Sequence, residues 1–211
     1  MKRALRMLAF LIAVLSQSAL VLACSVRPDY RVPTSLELAE EADVILLGTI
    51  EDGPPEITDL DDEPRLLVHP TLLLKGTDLP SPFQTIGMIA RPEYAEASDP
   101  DELAEAHPQA YMGACIRFMY VKGSTVLFFL KERDGKLTLL VRPFARIAED
   151  VSSPEARWVK AVRLYVGIAA LPEAIRREAL LASKVRLREQ KDDADAQAIA
   201  EDIDRQLAWL K

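Results

Sequence analysis

The sequence contains few of the residues from which enzyme active sites are most often built. Its 211 residues include two histidines, two cysteines and eight glycines. His69 and His107 each stand beside a proline, and neither has another His, Cys or acidic residue at the i+2 to i+4 spacing of a zinc site. The chain also lacks a glycine-rich phosphate loop and a nucleophile elbow. We therefore expect a protein that is not an enzyme and that needs no cofactor or intrinsic metal.

Basic residues are also scarce relative to acidic ones. The chain has 33 acidic and 26 basic residues and a formal net charge of −7. Proteins that bind nucleic acids need a basic surface, so we expect no nucleic-acid partner. The one long apolar run, residues 7–22, is shorter than the roughly 20 apolar residues of a membrane-spanning helix.

The first 23 residues have the pattern of a secretory signal peptide. Lys2, Arg3 and Arg6 precede the apolar run, and residues 21–23 place small or apolar side chains where signal peptidase cleaves. We expect an exported protein, periplasmic, extracellular or at the cell envelope, whose mature chain begins at Cys24.

The two cysteines, Cys24 and Cys115, have two possible fates in an exported chain. An even number of cysteines in an oxidising compartment favours one disulfide. Residues 21–24 also resemble the lipobox of bacterial lipoproteins, although Leu22 stands where a smaller residue is usual. Lipidation would use the same sulfur atom of Cys24 and would attach the protein to a membrane. The two fates therefore exclude each other.

The clearest secondary-structure signal lies in residues 111–141. Residues 126–130 are apolar at every position, and Asp134-Gly135 joins them to a second β-rich run at 137–141, which is typical of a hairpin. A run of this kind suits a strand buried on both faces, as in a closed barrel. A helix from Thr34 or Ser35 to Ala42 is predicted before the sheet. Further strands are predicted at residues 44–50, 65–74 and 83–89. Gly48 indicates a bulge or a sharp coil, and Pro70 indicates a sheet edge or a bulge.

The rest of the chain is predicted to be helical. Residues 91–109 have the composition of an insertion with a short acidic helix at 101–106. Ser152 or Ser153, followed by Pro154 and Glu155, predicts the start of a long helix. Three helices are expected, with the following inward-facing residues: Trp158, Ala161, Val162, Tyr165 and Ile168; then Ile175, Ala179, Ala182 and Val185 after Pro172; then Ile199, Ile203, Leu207 and Leu210 after Asp192 or Asp193. The predicted class is α+β, with a β-barrel at 24–150 and a separable helical region at 151–211.

The order of these features resembles the tissue-inhibitor-of-metalloproteinases/netrin-like module of exported bacterial type. The matching stretches are Cys24-Ser25, residues 38–49 (LAEEADVILLGT), residues 72–76 (LLLKG) and residues 115–130. The resemblance covers residues 24–147 and implies a five-stranded OB-type β-barrel. Ile116 stands where the family commonly has glycine, and the further cysteines of the animal inhibitors are absent.

The resemblance also implies a function. In the animal inhibitors the α-amine and carbonyl of the N-terminal cysteine chelate the zinc of the target protease. Carried over, the inhibitory ridge would be Cys24, Ser25 and Val26, with Ser25 facing the specificity pocket of a zinc metallopeptidase. Val26 replaces a second cysteine that supports the ridge in the animal proteins. The alternative is an envelope lipoprotein with a scaffold or assembly role.

Overall fold

A computed structural model describes residues 25–56 and 63–210 of the chain. The helices are α1 (Ser35–Glu41), α2 (Arg157–Ala169), α3 (Glu173–Glu189) and α4 (Ala194–Trp209). The strands are β1 (Val44–Asp52), β2 (Arg65–Lys75), β3 (Phe83–Ile86), β4 (Met88–Ile89), β5 (Met119–Tyr120), β6 (Thr125–Arg133), β7 (Lys136–Leu139) and β8 (Ala148–Asp150). Within the described ranges, none of the helices is long and apolar enough to cross a membrane. The predicted signal peptide lies outside these residues.

The main sheet is antiparallel and curls into a half-barrel. Its strand order is β3-β2-β1-β6-β7, and β8 pairs with the first part of β6. Since each of these neighbours is antiparallel to the next, the edge strands β3 and β7 run in the same direction. Their Cα atoms approach within 8 Å, although the two strands do not form a ladder. The α+β class is therefore confirmed, and the sheet is a partial barrel.

Irregular pairing between β1 and β2 accounts for the curl. The register shifts at three places along this pair, one of them beside Gly48, which lies opposite Pro70. A bulge of this kind bends a strand and increases its twist. A Cβ atom on Gly48 would lie 2.4 Å from Cγ1 of Val68, so the close approach of the strands requires glycine. The predicted bulge at Gly48 and Pro70 is confirmed.

Strand β6 is the most buried part of the molecule. The side chains of residues 126–130 are all fully buried, and the predicted hairpin to β7 turns at Asp134-Gly135. Phe128 faces the barrel interior, where it contacts the rings of Phe83 and Tyr120. Phe129 faces the other way, and its ring centroid lies 6.3 Å from that of Trp158 in α2. The strand is therefore apolar at every position because both of its faces are covered.

Helix α1 begins with a capping box at Thr34. The Thr34 hydroxyl accepts a hydrogen bond from the Glu37 backbone N–H at 3.3 Å, and the Glu37 carboxylate accepts one from the Thr34 N–H at 2.7 Å. Burial opposes ionisation of Glu37, but the hydrogen bonds from Arg31 and Thr34 outweigh it and lower the pKa of this carboxyl group. The predicted helix start is confirmed.

Replacing Thr34 by alanine should lower the free energy of unfolding by about 1 kcal/mol, because the Glu37 N–H loses its acceptor. Urea denaturation of both proteins measures the difference. Thr77 is exposed and outside any helix, so Thr77→Ala is the matched control and should change stability by less than about 0.5 kcal/mol. Equal losses in the two variants would contradict the role of the cap.

The predicted helix at 101–106 is wrong, because that segment forms only turns and bends. The Glu102 side chain accepts hydrogen bonds from the backbone N–H groups of Leu103, Ala104 and Glu105, and such local bonds compete with helix formation. The surrounding segment contains two short 3₁₀ turns, Pro92–Tyr94 and Pro108–Tyr111. Leu103, Ala106 and Ala110 are buried, so residues 91–118 cover the core instead of standing apart from it.

The C-terminal helices share one hydrophobic core with the sheet. Trp158, Val159, Val162 and Tyr165 of α2 are buried in the same cluster as β1 and β6. The helix starts at Arg157, later than predicted, because the Ser153 hydroxyl accepts from the Glu155 N–H in a turn before the helix. The domain boundary at residue 150 stays a prediction, although packing of this kind does not favour separable parts.

Helix α3 buries a different face from the predicted one. Leu180 and Ser183 are its buried residues, whereas Ile175 and Val185 are exposed. In α4 the predicted inward positions Ile199 and Ile203 are buried, and Asp193 caps the helix as predicted. Gln206 in the last turns of α4 accepts a hydrogen bond from the backbone N–H of Leu36 in α1, at 2.9 Å. The first and last helices are thus in direct contact.

Candidate functional site

The predicted inhibitory ridge lies at the start of the described chain. Cys24 falls outside the described residues, Ser25 is exposed and Val26 is half-buried. Cys115 is 2% exposed and has a φ of 60°, and its carbonyl accepts a hydrogen bond from the Phe144 N–H at 2.7 Å. The pairing of Cys115 with Cys24 therefore stays a prediction.

The segment that follows the ridge, residues 27–34, is hydrogen-bonded to the loop between β7 and β8. The Tyr30 hydroxyl donates a hydrogen bond to the Pro143 carbonyl at 2.7 Å, and partial burial raises the pKa of this tyrosine. Arg31 forms an ion pair with Glu37 at 2.5 Å, and its guanidinium lies 4.6 Å from the ring centroid of Trp209. These contacts position the residues that follow the N-terminus.

An exposed aromatic surface surrounds this segment. Val32, Tyr111, Phe144 and Trp209 line a pocket of about 190 Å³, and we call these four residues the N-terminal surface. Tyr111 stacks on Phe144 with 5.4 Å between ring centroids. Tyr111 and Trp209 are 51% and 53% exposed, and the neighbouring Met112 is 74% exposed. An exposed aromatic cluster of this kind is a candidate interaction surface.

The Tyr111 hydroxyl is a fixed hydrogen-bond donor within this surface. It donates to the Glu105 carboxylate at 2.7 Å. Partial burial, together with that hydrogen bond, raises the pKa of Tyr111 to about 12. The hydroxyl therefore stays protonated at any physiological pH, and the ring is held in one orientation against Phe144.

A buried polar network lies under residues 95–118. Arg117 is almost fully buried, with its Nη2 2.7 Å from Asp150 Oδ2 and its Nη1 donating to the Ser98 hydroxyl at 3.2 Å. The Ser98 hydroxyl donates to Glu149 at 2.6 Å. Glu149 also accepts from the backbone N–H of His107 at 3.1 Å. The network joins the covering segment to β8 through charged hydrogen bonds.

The His107 ring in this network is hydrogen-bonded to backbone groups and not to the Ser98 hydroxyl. His107 Nδ1 accepts from the Gln109 N–H, and its Nε2 lies 3.0 Å from the Glu96 carbonyl, so the ring is neutral with the proton on Nε2. Burial, and then the charge of Arg117, lower the pKa of His107. The Ser98 hydroxyl is bonded to Glu149 and Arg117 instead. The other histidine, His69, is exposed on β2.

Sequence reasoning missed most of the N-terminal surface. Tyr111 and Trp209 are far apart in the chain, and neither lies in a recognisable motif, so no spacing pattern joins them. A comparison with models of known protein families gave no match, and a comparison with curated proteins gave none. The chemistry of the site is thus defined by its own residues.

Proposed function

We propose that this protein is an exported, non-enzymatic protein-binding module built on an OB-type barrel of netrin-like kind. In an OB barrel the first strand pairs with the second and fourth strands, while the third and fifth approach each other. The pairing of β1 with β2 and β6 supports this interpretation, as does the approach of β3 to β7. The resemblance in residues 24–147 supports it independently.

The N-terminal surface is the observation that carries the binding function. Tyrosine and tryptophan supply large contact areas at low cost in side-chain entropy, and they are enriched among the residues that dominate interface energies. Tyr111 and Trp209 present exposed aromatic area next to Val32, and Val32 belongs to the segment that follows the ridge. The ion pair of Arg31 with Glu37 and the hydrogen bond from Tyr111 to Glu105 provide a polar rim. A protein partner fits this composition.

The sharper form of the proposal is a metallopeptidase-inhibitor-like protein. The mature N-terminus would be Cys24, whose α-amine and carbonyl would bind the zinc ion of the target. Ser25 is exposed and would enter the specificity pocket. A disulfide between Cys24 and Cys115 would fix this geometry, because the backbone at Cys115 is held by Phe144 and its side chain is buried.

One extra alanine before Cys24 should abolish inhibition of zinc endopeptidases such as thermolysin and leave the unfolding midpoint unchanged, because it displaces the chelating amine. Inhibition by the unextended protein should weaken about tenfold for each pH unit below the amine pKa of about 8, since only the neutral amine binds zinc. Inhibition constants measured between pH 6 and pH 8.5 test both expectations. Equal inhibition by the two proteins would overturn the mechanism.

One further measurement separates the inhibitor from the lipoprotein. Intact-mass analysis should find an unmodified amine on Cys24 and a gain of two hydrogens on reduction. A diacylglyceryl group on Cys24 would instead support the envelope lipoprotein.

Tyr111→Ala should weaken binding of the inhibited peptidase, whereas Tyr94→Ala, which removes an exposed ring outside the N-terminal surface, should not.

A further inference from the structure

The outer side of α3 carries apolar side chains that the described part of the molecule leaves uncovered. Leu181 and Val185 are 47% and 59% exposed, and Ala174 is exposed as well. With 3.6 residues per turn these three positions fall within about 40° of one another around the helix, so they form one line along it. We call them the α3 stripe. Ser183, which is buried, lies about 180° from Ala174, so the stripe points directly away from the rest of the protein.

Charged residues of opposite sign flank the α3 stripe. Arg177 and Arg188 lie about 40–60° from its centre on one side, and Glu178 and Glu189 lie at similar angles on the other side. All four side chains are exposed. Among the described residues, Arg188 alone of these four has an ion pair, a contact of 4.0 Å with Asp204 in which both side chains are more than half exposed. A pair of that kind contributes little, so the four charges are available to a partner.

This pattern of charge is complementary to itself when two copies of the helix run in parallel. Around a two-fold axis parallel to the helices, the left flank of one helix lies beside the right flank of the other. The arginines of each copy then meet the glutamates of the other copy. In an antiparallel pair the like flanks meet, which places arginine beside arginine and glutamate beside glutamate. Charges beside the apolar contact of two helices set their orientation in coiled coils for the same reason.

The position of α3 in the molecule suits such a pair. Because the stripe points away from the buried face of the helix, the bodies of two copies lie on opposite sides of the paired helices. An anionic membrane fits this face less well. The exposed charged residues of α3 are three arginines and three glutamates, so the face has no net positive charge to attract anionic lipids.

We propose that the α3 stripe is the contact surface of a homodimer in which two copies of the chain pack their α3 helices in parallel. Leu181 and Val185 of each copy meet their counterparts at the centre of the contact. The arginine flank of each copy lies against the glutamate flank of the other. The stripe shares no residue with the N-terminal surface, so this proposal does not depend on the proposed binding function.

Sedimentation equilibrium of the mature protein between about 10 µM and 1 mM tests for this dimer. The helix has 17 residues, so the contact is about 25 Å long, and we expect a dissociation constant of about 0.1 mM, as for a small transient interface. Arg177→Glu combined with Arg188→Glu should weaken association by about tenfold or more, because like charges then meet on both flanks. Glu178→Arg combined with Glu189→Arg should do the same.

Mixing the two double variants separates the loss of charge pairing from damage to the helix. One variant has acidic flanks and the other has basic flanks, so an equimolar mixture should regain a dimer that neither forms alone. Arg133→Glu combined with Lys136→Glu is the matched control, because it changes the net charge equally at exposed positions outside α3 and should leave association unchanged.

Cross-linking distinguishes the two orientations of the helices. A cysteine in place of Ala174 lies beside its counterpart in a parallel pair and more than about 20 Å from it in an antiparallel pair. Mild oxidation should therefore link Ala174→Cys into a covalent dimer. Thr77→Cys, at an exposed position outside α3, and the unsubstituted protein should give no such product.

Several results would overturn the proposal. A protein that stays monomeric at about 1 mM has no such dimer at a useful affinity. Unchanged association of either double variant, or a mixture that stays monomeric, would remove the charge pairing on which the proposal rests. A monomeric protein that binds vesicles of anionic phospholipid and loses that binding on Leu181→Glu would also overturn it, and would assign the stripe to a membrane surface.

Discussion

Replacing Trp158 by alanine should lower the free energy of unfolding by about 3–5 kcal/mol, the usual cost of removing a large aromatic side chain from a core. Trp158 lies between the sheet and the helices, with its ring against Phe129 and the Arg146 guanidinium 4.9 Å from the ring centroid. The substitution opens a cavity at the place where both layers meet. Since the total stability of a typical protein is about 5–15 kcal/mol, this loss removes a large share of it and should move the denaturation midpoint to a clearly lower denaturant concentration. Chemical denaturation followed by circular dichroism measures this loss.

The second tryptophan supplies the matched control for this experiment. Trp209 is half-exposed and its ring is contacted by Arg31, so Trp209→Ala should cost about 1 kcal/mol or less. Trp158→Phe keeps most of the buried volume and removes an indole N–H that has no hydrogen-bond partner among the described residues. It should therefore cost less than about 1.5 kcal/mol. Similar losses in Trp158→Ala and Trp209→Ala would mean that the helices do not complete the core.

Replacing Arg117 by alanine should also cost about 3–5 kcal/mol, because it leaves the charge of Asp150 without its partner in a buried place. The side chains of Arg117 and Asp150 are 2% and 13% exposed, and Arg117 also donates to the Met119 carbonyl at 3.1 Å. Loss of the guanidinium should loosen the attachment of residues 95–118 to β8, which would then depend on the bonds of Ser98 and His107 to Glu149. Faster amide exchange in that segment, together with a lower unfolding midpoint, would report the change.

An exposed ion pair provides the comparison for Arg117. Arg91 pairs with Glu56 at the surface, where both side chains are more than half exposed, so Arg91→Ala should cost about 0–1 kcal/mol. Arg117→Met should be partly rescued by adding Asp150→Asn, since the double variant buries no unpaired charge. If the second substitution made the Arg117→Met protein less stable still, the ion pair would not be the main interaction of Arg117.

Much of the sheet could be predicted because local and tertiary requirements agree there. Residues 126–130 are apolar at every position, and the structure covers both faces of that strand. Gly48 and Pro70 interrupt the apolar pattern of their strands. In the structure they lie opposite each other, and the register of the β1–β2 pair shifts beside Gly48. The cap at Thr34 depends only on residues three positions apart. These features rest on short-range patterns that the sequence displays directly.

The two wrong predictions have different physical causes. Glu102 binds the backbone N–H groups of its own turn, so an acidic stretch that resembles a helix becomes a loop. On α3 the apolar positions Ile175 and Val185 suggested the buried face, yet Leu180 and Ser183 take that place. Single apolar residues on a helix with many charges do not determine which face packs.

The candidate site was even less predictable than the fold. Ser25 could be selected by its position, but the aromatic residues beside its segment come from a 3₁₀ turn, a loop and the last helix. A cleft between the beginnings of β3 and β7, which are distant in sequence and do not pair, was equally hard to predict. Its existence depends on how far the sheet curls, which no short stretch of sequence specifies.

The contact between the first and last helices has a consequence for how the protein is made. Leu36 N–H, which is buried, finds its acceptor in Gln206, so this hydrogen bond cannot form until nearly the whole chain is available. In a nascent chain that is emerging from a ribosome or passing through a pore, the apolar surfaces of α1 and the sheet would stay exposed to solvent until α2 and α4 have been made. The arrival of α4, and not the appearance of the sheet, should set the moment at which this part of the protein becomes resistant to proteases.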